Sequence, residues 1–297
     1  WGLHPTQPDW STGFDDLWTP GEAGAKERLS DFLDGPVRSY DDSRNRPDID
    51  DGTSGLSPHL RHGEISPATI WRAVMGRINR GLKEEDSAWT FLSEVVWREF
   101  SYVLLYHNPD FGAENYNKKF DKMAWRSSDG DLERWQAGQT GYPIVDAGMR
   151  QLWETGWMHN RVRMIVASLL TKHLLLDWRK GEDWFWDTLV DADPASNAAG
   201  WQWTAGSGAD ASPYFRVFNP ITQGQKFDQT GAYVRKWCPE LKKLPNKHLH
   251  APWEAGSDVL KKAGVELGKT YPRPIIEHKQ GRQRALEAWE TLKGKQD

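Results

Sequence analysis

The stretch from Gly156 to Thr204, GWMHNRVRMIVASLLTKHLLLDW through LVDADPASNAAGWQWT, limits what the chain can fold into more than any other part of it. Its first half is a long apolar helical run that carries polar residues along one side. Asn160, Arg163, Met164 and Ala167 fall at i, i+3, i+4 and i+7, so their side chains project the same way from a helix. Asn and Arg on such a face do not suit an ordinary core, because buried polar groups require partners. A polar ligand lying against the face would supply them. The second half reads as a loop of small residues, Asp191-Ala-Asp193-Pro-Ala-Ser-Asn197-Ala-Ala-Gly200, leading to a Trp-Gln-Trp triplet. Side chains this small let backbone come close to something flat.

At 297 residues the chain allows one large domain or two small ones. Aromatic residues make up 12% and tryptophan alone counts 18, so apolar area for a full core is present despite a modest 38% hydrophobic content. No run approaches the ~18 apolar residues of a membrane span, and no signal-peptide pattern opens the sequence. A single cysteine, Cys238, excludes an internal disulfide and fits a reducing compartment, so a cytosolic location is expected. The nearest histidine pairs, His59/His62 and His248/His250, lack Cys or acidic companions at ligand spacing, and no metal site is expected. A net charge of −4 argues against indiscriminate coating of nucleic acid while leaving room for a local basic patch. Because the chain begins at Trp1 in a Pro/Gly/Asp-rich stretch, it reads as the C-terminal part of a longer protein.

Residues 1–52 are punctuated by turn signals, with one short helix fitting about Glu22 to Leu33. Thr53-Ser54-Gly55-Leu56-Ser57-Pro58 then sets three hydroxyls around a glycine. Two readings stay open: an N-cap cluster opening a short helix, or a phosphate cradle at a helix start. Ser66-Pro67 is a helix start, and the helix it opens ends near Gly81. Ser87 to His107 reads as another, on which Glu94, Trp97, Arg98 and Ser101 form a polar stripe between apolar flanks. That stripe is either an exposed Glu94–Arg98 i,i+4 ion pair or a buried functional surface. A helix runs from Pro143 to Trp153 and is closed by Gly156, and a charged helix finishes the chain. Arg235, Lys236, Lys242, Lys243 and Lys247 form a local basic cluster that by itself suits a solvated face. Period-2 alternation is scarce, so the fold is expected to be all-α.

A hydroxyl-rich turn, a polar pocket between helices and many tryptophans suit a large dinucleotide-like cofactor inside a helical bundle. No G-x-G-x-x-G follows a strand and no nucleophile elbow appears, so neither a Rossmann site nor a hydrolase is supported. Tryptophans without an acid–base dyad point toward electron transfer carried by a cofactor.

Several segments carry a closer likeness: Thr53-Ser-Gly-Leu-Ser57-Pro58, Trp97-Arg-Glu-Phe100, Thr140-Gly-Tyr-Pro-Ile-Val-Asp-Ala147, Gly156-Trp-Met-His-Asn-Arg161-Val-Arg-Met164, Gly200-Trp-Gln-Trp203, Phe215-Arg-Val-Phe-Asn-Pro220 and Pro274-Ile-Ile-Glu-His-Lys279. With them the chain, from about Tyr40 to Lys279, resembles the C-terminal FAD-binding helical domain of the photolyase/cryptochrome family. The match is nearest to bacterial class I photolyases acting on cyclobutane pyrimidine dimers. This resemblance implies residues 1–35 as an interdomain linker with a short helix and 36–297 as the FAD- and DNA-binding domain. The family's α/β antenna domain has no counterpart here, so no second chromophore is expected on this chain.

The resemblance also implies roles. Tyr40 and the turn of Thr53, Ser54, Gly55, Leu56 and Ser57 would hold the FAD pyrophosphate and ribose. Phe91 stands where relatives often carry tryptophan and would pack on the cofactor. Arg98, Asn160 and Arg163 would contact FAD, and Asp191, Ala192 and Asp193 its adenine and ribityl portions. Asn197 matches the residue facing flavin N5, where asparagine favours the reduced anionic flavin used in repair. Trp201, Trp178 and Trp125, from the flavin outward, match the family's electron-transfer chain. Trp97 and Trp203 would sandwich a flipped-out dimer, Glu94 would bond its pyrimidine edge and Met164 would sit beside it, with Arg98, Ser101 and Asn160 in the same pocket. Arg161, Arg216 and Gln223 would meet the DNA backbone. Asn160 and Met164 stand where enzymes for (6-4) photoproducts carry histidines, which favours the cyclobutane dimer. The expectation is therefore a monomeric, blue-light-driven lyase acting on UV-damaged DNA. The alternative is a cryptochrome-like light receptor using the same flavin and tryptophans for signalling.

Overall fold

The computed structural model describes residues 17–294 and, ahead of them, 9, 11, 13 and 14. Among the described residues the chain is helical, with two isolated bridges and no strand. The first five helices are α1 (Glu22–Asp34), α2 (Tyr40–Ser43), α3 (Ser57–Arg61), α4 (Pro67–Asn79) and α5 (Glu85–His107). The middle of the chain supplies α6 (Asp129–Gln136), α7 (Pro143–Thr155), α8 (Asn160–Ser168), α9 (Trp178–Thr188) and α10 (Pro194–Ala205). Beyond them run α11 (Pro220–Phe227), α12 (Ala232–Trp237), α13 (Asn246–Leu249), α14 (Ser257–Ala263) and α15 (His278–Gly294). None is long and apolar enough to cross a membrane.

Helix starts follow side-chain chemistry. Ser66 accepts from Thr69 N at 3.1 Å ahead of Pro67, and α7 and α10 likewise begin at a proline. Gly156 closes α7 in the left-handed region, with φ 66°.

The largest core joins α7, α8, α9 and α12 around Trp135, Tyr142, Met149, Trp178 and Trp201. A second core gathers Ala25, Leu29 and Phe32 of α1 with Tyr40, Ile70, Val74 and Phe91. The helix assigned from sequence to a linker thus packs under two residues expected at the cofactor.

Two features differ from the sequence reading. The apolar run after Asn160 is not one helix. It passes into a π turn at Leu169–His173, in which Leu174 N reaches back to Leu169 O at 3.0 Å, and Leu175 takes φ 53°. A fresh helix begins at Trp178, capped by Asp177. Nor is the small-residue stretch a loop: Asp193 caps Ala195 N and Ser196 N, so helix α10 begins at Pro194. An Asp-Pro pair is a helix start, and it prevailed over the appearance of low side-chain bulk.

Asp146 fastens the end of the chain to the middle. Fully buried, it accepts from Thr140 N at 2.7 Å, Thr140 Oγ1 at 2.6 Å, Gly141 N at 3.0 Å and Tyr271 Oη at 2.6 Å. Gly141 has φ 81°, and a Cβ there would lie 2.5 Å from the Arg273 backbone. Asp146→Ala strands all four donors and is expected to destabilise the fold by about 3–5 kcal/mol, read from urea unfolding midpoints.

Candidate functional site

A cavity of about 600 Å³ opens between α5, α8, α10 and the turn ahead of α3. An inner recess of about 160 Å³ adjoins it, and Asn160, Arg163, Met164, Asp191, Asp193 and Gly200 border both. The helix face read from spacing is therefore real: Asn160, Arg163, Met164 and Ala167 line the recess together.

One wall is α5, which contributes Phe91, Glu94, Trp97, Arg98 and Ser101. Trp97, half exposed, meets Phe100 edge-on at 5.6 Å, and Trp203 joins from α10. Of the two readings left open for this stripe, the Glu94–Arg98 pair is not formed. Glu94 is bound by Arg44 at 2.6 Å, whereas Arg98 pairs with Glu99 at 2.7 Å and lies 4.6 Å over the Tyr102 ring. Arg44, on the chain just after α2, lines the same cavity and takes the place of the in-helix partner.

At the floor, Arg163 donates to both oxygens of Asp191 at 3.0 and 2.8 Å and to Met158 O at 2.7 Å. Asp193 is committed twice, as the α10 cap and as acceptor from Tyr102 Oη at 2.5 Å. Asn197 borders the recess while its amide nitrogen donates to Glu182 Oε1 at 2.9 Å and Glu182 O at 3.1 Å. Tyr40, Ser54, Leu56 and Ser57 line the outer cavity; Thr53 and Gly55 do not. Gly55 has φ 61° and backs onto Arg28, whose guanidinium a Cβ would meet at 2.5 Å. No side chain caps α3, so the N-cap reading of this turn fails.

Other expected residues lie outside the cavity. Arg216 is exposed beside Phe218 and Gln223 is half-buried on α11. Trp201 borders the recess and packs on Gly181 of α9, the helix that begins at Trp178. Trp125 is partly buried, and its neighbour Arg126 bonds Leu175 O at 2.8 Å, just ahead of Trp178. Of the three tryptophans only Trp201 borders the recess, while Trp178 is fully buried and Trp125 partly buried. Among the described residues no group of acids, histidines and cysteine could hold a metal.

Sequence reasoning missed Arg44, Arg61, Tyr102 and Glu182. Arg61 lines the cavity and bonds Ala192 O. Tyr102 was within reach, since it stands four residues beyond Arg98; Arg44 and Glu182 arrive by tertiary packing alone. Charge at the mouth is uneven: burial, then the neighbouring guanidiniums of Arg44 and Arg216, push Arg161 below its ordinary value.

The comparisons agree with this architecture. The family model described as the FAD binding domain of DNA photolyase matches residues 91–291, so the chain belongs to that family. It is 60% identical to the deoxyribodipyrimidine photo-lyase of Agrobacterium fabrum, over 99% of this chain and 60% of that one. A solved bacterial class III photolyase from Agrobacterium tumefaciens superposes with a TM-score of 0.95 at 60% identity, over 99% of this chain and 60% of that one. A cryptochrome from Synechocystis follows at 0.86 and 36%, over 92% of this chain and 56% of that one. The chain thus spans about 60% of the length of the photolyases it matches.

His159 caps α8 by accepting from Arg161 N at 3.1 Å. Burial first, then Arg163 and Arg161, push it down to about 3 from 6.5. Its folded value lies below its unfolded one, so the unfolded chain binds the proton first and stability is lost as pH falls from 6.5 toward 3. The loss should approach about 1.4 kcal/mol per pH unit in that window. His159→Asn keeps a capping acceptor without titrating and should lower the slope by that amount, leaving the part due to His173, which burial also pushes down to about 3, measured by urea unfolding across pH.

Proposed function

We propose that this chain is the FAD-bearing part of a light-driven enzyme that splits cyclobutane pyrimidine dimers in DNA, a deoxyribodipyrimidine photo-lyase. One observation carries the reading: Glu94, Trp97, Met164 and Trp203, the four residues a dimer pocket requires, border a single cavity. The likeness to the class III photolyase of Agrobacterium tumefaciens favours class III over the class I expected from motifs.

FAD fits the residues present. A cavity of about 600 Å³ is within the range of cofactor sites. Ser54 and Ser57 offer hydroxyls and Arg98 a cation for the pyrophosphate side; Tyr40 and Phe91 back them. Asn160 and Arg163 border both compartments, Asp191 and Ala192 suit the adenine and ribityl portions, and Asn197 suits flavin N5. With its nitrogen held by Glu182, Asn197 has its amide oxygen left to offer to an N–H. Held by these residues, a reduced anionic FAD would supply light-driven one-electron chemistry for opening the cyclobutane ring.

The protein's own part is positioning. Glu94, steadied by Arg44, accepts from a pyrimidine N–H, while Trp97 and Trp203 cover the faces of the flipped bases and Met164 fills the remaining edge. Ser101 and Asn160 complete the pocket. Arg161 is held by Asn45 Oδ1 at 2.6 and 3.2 Å and feels the charges of Arg44 and Arg216, and a DNA phosphate would offset that repulsion. Gln223 extends that backbone contact. Trp125, Trp178 and Trp201 pass an electron inward to restore the reduced cofactor.

Damaged DNA, single- or double-stranded, is the partner we infer, with the protein acting as a monomer in the cytosol. We treat 36–297 as the cofactor domain, with α1 packed beneath it. A blue-light receptor is the second reading, favoured by the likeness to the Synechocystis cryptochrome. The dimer pocket weighs against it.

The deciding experiment is blue-light repair of a dimer-bearing oligonucleotide by the chemically reduced protein, beside a (6-4) substrate. Light-dependent splitting of the cyclobutane dimer into pyrimidines, with the (6-4) substrate unchanged, supports the lyase; flavin photoreduction without repair moves the reading to the receptor. Glu94→Gln loses a charge-assisted hydrogen bond and should weaken dimer binding about 10- to 100-fold in titrations with damaged DNA. Trp201→Phe should abolish photoreduction of the oxidised flavin while sparing repair by pre-reduced protein.

A further inference from the structure

We infer that Asn115 is a positioning residue for the electron chain, tuning Trp178 to be easier to oxidise than Trp201; this rests on the electron-transfer reading above. The two indoles sit in opposite surroundings. Trp201 N–H is buried and meets no acceptor among the described residues, with Phe185 at 5.0 Å and Trp135 at 6.0 Å around its ring. Trp178, fully buried, donates its N–H to Asn115 Oδ1 at 2.9 Å. Asn115 in turn donates to Asp121 Oδ1 at 2.7 Å, which fixes the end of the amide facing the indole.

The loop bearing Asn115 is held by the middle residue of the Trp-Gln-Trp triplet. Gln202, fully buried, donates to Phe111 O at 2.7 Å and Glu114 O at 3.1 Å and accepts from Tyr116 N at 2.9 Å. One short segment of α10 thereby supplies Trp201 and also fixes the acceptor for Trp178.

A tryptophan that has lost an electron is a cation with a strongly acidic N–H. A hydrogen bond from such a group is roughly twice as strong as a neutral one, and stronger still away from water. The acceptor at Trp178 therefore stabilises its oxidised form, and Trp201 has no counterpart among the described residues. Arg179, 4.7 Å over the Trp178 ring, opposes this, but Asp177 balances its charge through two contacts of 3.1 Å. Trp135 also donates to a carbonyl, Val166 O at 3.1 Å; its ring contacts are Phe185 and Trp201, so a charge there leads back inward.

In the step, Trp201 gives one electron to the photoexcited oxidised flavin and recovers it from Trp178. The positive charge then rests on Trp178, whose proton stays on Nε1 and leans toward Asn115. Trp125, and finally an external thiol, return the electron.

Asn115→Leu keeps the shape and removes the acceptor. Transient absorption should show slower transfer from Trp178 to oxidised Trp201, and the yield of flavin photoreduction should fall several-fold. Dimer repair by chemically pre-reduced protein should stay at the parent rate. In flavin-free protein the Trp178 indole proton should exchange faster with deuterium. Asp121→Ala, at an exposed position, should give a smaller change in the same direction and carries the test if Asn115→Leu does not fold. Parent transfer kinetics in either variant overturn the inference. Trp178→Phe, run alongside, separates the two failures. If it photoreduces like the parent, the electron-chain reading falls and takes this inference with it. If it is impaired while Asn115→Leu is not, only the role of Asn115 falls.

Discussion

Arg163 grips Asp191 with two hydrogen bonds at a place where the carboxylate side chain is only 3% exposed. Removing either partner would strand a buried charge, a loss of several kcal/mol. The pair spans from α8 to the approach of α10, so it fixes the spacing of the two walls between which the recess lies. Asp193 completes the corner by capping α10 and receiving Tyr102 from α5. Three helices that bear the candidate residues are thus locked at one point by charge and hydrogen bonding.

From that corner the cavity divides by chemistry. Toward α10 it is lined by small residues, which let a flat ligand approach the helix closely. Toward α5 it presents indole and phenyl faces with a single carboxylate among them. Guanidiniums ring the mouth. Such a division suits two guests held against one another, a polar one below and an aromatic one above.

Much of this was legible in the sequence, and the reason differs by residue. Asn160, Arg163, Met164 and Ala167 were found by spacing because helical period is a local property, and the recess uses that same face. Trp97 and Ser101 followed for the same reason. Glu94 was found, but its partner was not, because Arg44 is brought to it by packing across fifty residues. Asp193, expected near the adenine and ribityl portions, borders both compartments and also caps α10, a second task that a short acidic side chain ahead of proline does not reveal until the backbone is known. The π turn after Ser168 had no signal in hydrophobic period, since leucine fits both geometries.

Gly181 draws these threads into a matter of distance. A Cβ at that position would fall 2.1 Å from the Trp201 ring, so the indole rests directly on bare backbone of α9. Electron tunnelling decays exponentially with the gap between donor and acceptor. In the electron chain proposed above, the absence of one methyl group would govern how closely Trp201 rests on the helix that Trp178 opens: any larger residue at 181 would displace the indole and alter that path without touching either tryptophan.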